Sequence, residues 1–64
     1  MNKIGNKLRE LRGNRSMECV AKEVGISKSS IAMYETGKRV PKDDVKKKLS
    51  VYYNYPIADL FFAD

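Results

Sequence analysis

Three residues between Met17 and Tyr34 constrain the fold of this chain more than any others: Ala21, Gly25 and Ile31. Ahead of Gly25, the residues Val20, Ala21 and Val24 share one helical face, and after it Ile31 and Tyr34 share one face of a second helix. Gly25 suits a turn position with φ > 0, which glycine adopts at little steric cost. Ala21 stands where the second of these helices crosses the first, and a larger side chain there would push the two apart. The pattern predicts two short helices crossed at a tight turn. Such a unit leaves the far side of its second helix free to enter a DNA major groove.

Sixty-four residues make one small domain, spanning 1–64. A chain of this size buries only about 60% of the surface its unfolded form exposes, so its stability is modest unless it oligomerises. A hydrophobic content of 42% supplies one core and argues against wholesale disorder. One cysteine and no histidine exclude an intrachain disulfide and leave no Cys/His metal site, which fits a reducing cytoplasm. The N-terminus carries no apolar h-region, and no run approaches the ~20 apolar residues of a membrane span. Without histidine, a second cysteine or paired carboxylates in a cleft-forming context, the composition points away from an enzyme, and no cofactor is expected. Cys19 falls on the solvent side of its helix and reads as a surface thiol.

Charge is unevenly spread. Residues 1–42 hold ten Lys/Arg and four Asp/Glu, a net of +6, whereas residues 43–64 hold three Lys and four Asp, a net of −1. The excess lies in the part that contains the two-helix unit, as expected if that part meets phosphates.

Along the chain, Ile4, Leu8 and Leu11 recur at helical spacing and predict a first helix over 3–12, ended by Gly13-Asn14. Ser16 is the N-cap of a second helix that ends near Val24, with Glu18 placed favourably in its first turn. Ser27 caps a third helix over 28–35, which Gly37 stops. A basic extended loop follows, where Pro41 disfavours helix at Val40. A fourth helix begins near Asp43, buries Val45, Leu49 and Tyr52, and ends at Asn54. Pro56 suits the first turn of a short fifth helix with Ile57, Leu60 and Phe61. The expected fold is all-α, a compact five-helix bundle without strands, its helix-turn-helix formed by helices 2 and 3. Its expected core is Ile4, Leu8, Leu11, Val20, Ala21, Val24, Ile26, Ile31, Tyr34, Val45, Leu49, Tyr52, Ile57 and Leu60.

At 100° per residue, placing Ile31 and Tyr34 inward turns Lys28, Ser29, Ala32 and Met33 outward, and these four are the candidate base-reading residues. Lys28 can donate to guanine O6 and N7, and Ser29 can donate or accept. Ala32 and Met33 offer apolar contact suited to a thymine methyl. Asn14, Arg15, Ser16, Ser30, Thr36, Lys38 and Arg39 are candidate phosphate ligands, joined by the free N–H groups at Ser16 and Met17.

Four segments now support a resemblance covering nearly the whole chain. They are Ile4-Gly5-Asn6-Lys7-Leu8-Arg9-Glu10-Leu11-Arg12, Val20-Ala21-Lys22-Glu23-Val24-Gly25-Ile26-Ser27, Ile31-Ala32-Met33-Tyr34-Glu35-Thr36-Gly37-Lys38-Arg39-Val40-Pro41, and Ile57-Ala58-Asp59-Leu60-Phe61. The chain resembles the Cro/C1-type (Xre family) helix-turn-helix repressors of phages and bacteria. That resemblance implies a lambda-repressor-like bundle, binding to a palindromic double-stranded operator, and a symmetric homodimer. It places base contacts at Lys28, Ser29, Ala32 and Met33, and a salt bridge between Arg12 and Glu35. Two departures stand out. Met17 occupies the position where many members carry a phosphate-binding glutamine, and the connection from Gly13 to Ser16 is shorter than usual.

Five of the six aromatic residues, Tyr52, Tyr53, Tyr55, Phe61 and Phe62, crowd the last thirteen positions. Tyr52 and Phe61 can serve the core. Tyr53, Tyr55 and Phe62 exceed what one small core needs, and together with Phe61 they are the candidate dimer interface. A competing reading makes the same fold a protein-interaction module, docking an antirepressor or other regulator through Ala32 and Met33. The polar-poor reading face and Met17 favour it, and the basic first two-thirds of the chain opposes it.

Overall fold

A computed structural model describes residues 3–61. It contains α1 (Lys3–Arg12), α2 (Met17–Val24), α3 (Lys28–Thr36), α4 (Asp43–Tyr53) and α5 (Ile57–Phe61), with no strand among the described residues. No helix there is long and apolar enough to cross a membrane.

The helix ends follow from local chemistry. The Ser16 hydroxyl accepts the Cys19 backbone N–H at 3.0 Å, and the Ser27 hydroxyl accepts that of Ser30 at 3.0 Å, so each satisfies a donor that its helix leaves orphaned. Gly25 closes α2 at φ 88°, its N–H bonded to the Ala21 carbonyl. A Cβ built on Gly25 would meet nothing within 4 Å, so the left-handed backbone, not crowding, selects glycine there. Asn54 ends α4 in the left-handed region at φ 53°, as its side chain tolerates.

α3 packs against both α1 and α2, while α5 rests on α4 and α1. Leu8, Val20, Ala21, Ile31, Tyr34, Leu49, Leu60 and Phe61 form the buried core, and Val20 and Leu49 are almost wholly enclosed. Ala21 is 3% exposed at the crossing of α2 with α3, where the small side chain lets the two backbones approach. Ile4, Leu11, Val24, Ile26, Val45, Tyr52 and Ile57 are half-buried around that core, joined by Met17, Tyr53 and Tyr55.

Phe61 corrects an expectation. Named above as an interface residue, it is 6% exposed and belongs to the core, because α5 turns it inward beside Leu60. Tyr53 and Tyr55 are likewise half-buried against the core instead of forming an exposed patch. Phe62 lies outside the described residues. Among the described residues, the large apolar side chains that face solvent are Val40 and Val51, the latter 81% exposed.

Candidate nucleic-acid interface

The geometry begins with the rotation of α3. Its buried residues are Ile31, Tyr34 and Glu35, which leaves Lys28 and Ser29 exposed and Ala32 and Met33 half-exposed at the rim. Ser29 thus faces furthest from the core, with Ala32 and Met33 flanking it at the rim and Lys28 extending from the first turn.

A buried ion pair holds that rotation. The Glu35 carboxylate, 3% exposed, accepts Arg12 Nε at 2.7 Å and Nη2 at 3.1 Å, the two-pronged match that suits guanidinium and carboxylate. Arg12 Nη1 donates to the Arg15 carbonyl at 2.7 Å, so one side chain ties α1, α3 and the connection between α1 and α2. Donating to the Glu35 carboxylate raises the pKa of the Arg12 guanidinium above its ordinary value. Burial of the Glu35 carboxylate separates this pair from a fully exposed one.

An ion pair links the first turns of α2 and α3. Lys28 Nζ stands 3.6 Å from Glu18 Oε1, both side chains well exposed. This contact joins a candidate reading cation to an acid that the sequence marks only as a favourable first-turn residue. Because the pairing crosses the turn, it carries no local sequence signal.

The expected phosphate ligands divide. Asn14, Ser16, Lys38 and Arg39 are exposed, and the Lys38 and Arg39 backbone N–H groups bond the Met33 carbonyl, so their loop is pinned to the end of α3. Ser30 is half-buried, its hydroxyl accepting from Ser27 at 2.9 Å. Thr36 gives its hydroxyl proton back to the Ala32 carbonyl at 2.8 Å, which commits it to its own helix.

Arg15 departs furthest from expectation. Its Nη2 donates to the Leu11 carbonyl at 2.7 Å and its Nε to that of Arg12 at 3.2 Å, capping the C-terminal end of α1. The same guanidinium lies 5.3 Å from the Tyr52 ring centre and 5.4 Å from that of Tyr53. It is a structural clamp. Met17 packs against the core, and with no polar group on its side chain only its backbone can meet a phosphate.

Cations also occupy two further aromatic rings: Lys7 lies over Tyr55 and Lys46 over Phe61. Tyr52 donates its hydroxyl to Glu23 of α2, which raises its pKa. Burial first, then the Glu35 charge, push the Tyr53 phenol up to about 12.

Two helices crossed at a left-handed glycine, the second with one face buried and Lys28 and Ser29 exposed, define a helix-turn-helix unit. A helix-turn-helix family profile matches residues 6–60, and the chain belongs to the Cro/C1-type helix-turn-helix family. Over 59 residues it is 39% identical to the cryptic phage CTXphi transcriptional repressor RstR of Vibrio cholerae, covering 89% of this chain and 53% of that protein. The chain thus spans about half the length of the relative it matches. No solved structure matches it.

Proposed function

We propose that this chain is a sequence-specific double-stranded DNA-binding regulator, acting as a transcriptional repressor, that reads the major groove with the outer face of α3. The observation that carries the reading is the rotation of that helix: Ile31, Tyr34 and Glu35 are buried, Ser29 is exposed on the far side, and Lys28 is exposed in the first turn. Lys28 donates to a guanine edge, Ser29 bonds a neighbouring base, and Ala32 and Met33 meet thymine methyl groups. Lys38 and Arg39 grip phosphates from the loop beyond α3, and Asn14 and Ser16 do so from the entry to α2. Kinship with a phage repressor supports repression as the outcome.

A homodimer on a palindromic operator belongs to the same reading. The domain is 28 Å along its longest axis, shorter than the ~34–36 Å between successive major-groove faces, so one copy reads one half-site. The run from Leu49 to Ala58 carries no charged residue of its own in a chain of net charge +5, and its exposed part is the candidate surface for two copies to share. Val51, exposed on that run beside a shallow cleft lined by Ser50, Asn54, Tyr55 and Pro56, supplies the apolar contact.

Selection of bound sites from random duplexes tests the proposal. The expected result is an enriched palindrome whose affinity falls steeply with salt. Absence of any salt-dependent complex would overturn it and leave the α3 face as a docking surface for a regulatory protein.

A further inference from the structure

Lys28 has two competing targets on DNA. Its flexible ammonium can seek phosphate oxygens, which every duplex offers, or a guanine edge, which only some do. Glu18 stands 3.6 Å from that ammonium, in the first turn of α2, on the helix that crosses the DNA backbone in a unit of this kind. A carboxylate there repels the approaching phosphates. It repels the neutral acceptor atoms of guanine far less.

Building on the proposed reading role of Lys28, we infer that Glu18 is a specificity-determining residue that keeps Lys28 off the phosphate backbone and directs it to the base edge. It works as a positioning residue through Lys28. Weakening every phosphate contact of that lysine lowers affinity for all duplexes, and the matched site recovers the difference through its base contact. Specificity gained by penalising the wrong target is the general form of such a device. An exposed ion pair adds little to folding, so replacing Glu18 leaves the domain intact.

The test measures binding to a random-sequence duplex and to the duplex recovered by selection, by fluorescence anisotropy across a salt series. Glu18→Gln is expected to raise random-duplex affinity about fivefold and to steepen the slope of log affinity against log salt by about one, as for one added phosphate contact. Affinity for the selected site should change less, so the ratio of the two falls. Glu18→Asp, which keeps the charge, should restore the parent ratio. In a Lys28→Ala background Glu18→Gln should give no such gain. An unchanged random-duplex affinity and slope would overturn the inference. So would an equal gain in the Lys28→Ala background, or from Asp59→Asn on α5, since net charge alone would then account for it. Failure of the reading role itself has a different signature: Lys28→Ala would keep the parent base preference whatever Glu18 does.

Discussion

Arg12 and Glu35 show how much one residue pair contributes to the interface without touching DNA. Replacing Arg12 by Met removes the two-pronged guanidinium contact of the buried Glu35 carboxylate, an expected loss of about 1.5–3 kcal/mol. The double replacement Arg12→Met with Glu35→Leu should recover most of that loss, and urea denaturation of the four proteins measures the coupling. Gly25→Ala should cost about 1–2 kcal/mol from the left-handed backbone alone, because its new methyl group meets open space. Tyr53 supplies a pH signature. Its pKa is about 12 in the fold against 10.0 as the ordinary value, so the fold favours the neutral phenol. That contribution is complete below pH 10 and is lost as pH rises toward 12, which phenolate absorbance followed alongside helicity would detect. Pairing of Arg12 with Glu35 was legible only through family resemblance, since the residues lie far apart in sequence. Its burial came from the structure.

At the scale of elements, helices 1 to 4 follow local signals closely. Ser16 and Ser27 cap, Gly25, Gly37 and Asn54 terminate, and the outer face of α3 follows from periodicity once Ile31 and Tyr34 are placed inward. Local spacing is silent on which side chains meet across elements. Arg15 reads in sequence as one more basic residue near a helix start, yet it caps α1 and covers Tyr52 and Tyr53. Arg15→Ala should therefore lower the midpoint of thermal unfolding while leaving the salt dependence of DNA binding nearly unchanged. Lys38→Ala should do the reverse, reducing the magnitude of the salt slope by about one with little effect on stability. Calorimetry and a binding titration over salt separate the two.

Across the whole molecule, charge is uneven along the chain. Excess positive charge lies in the first two-thirds of the chain, and the uncharged stretch from Leu49 to Ala58 follows it. Crowded C-terminal aromatics suggested an interface in sequence, but Lys7 and Arg15 cover Tyr55 and Tyr53, and Phe61 completes the core under Lys46. Composition reveals a surplus of rings, and only the packed structure reveals that cations cover Tyr52, Tyr53 and Tyr55. Val51→Lys should then reduce the dimer population seen by sedimentation and weaken binding to a palindrome more than to a single half-site. The account as a whole rests on the outer face of α3 lying in the major groove. Its most direct test compares the base preference of the parent protein with that of Lys28→Ala and Met33→Ala, position by position, on single-base variants of the selected site. The account predicts that each replacement relaxes preference at its own base pairs and leaves the others intact. Parent-like preference at every position in both variants would contradict it.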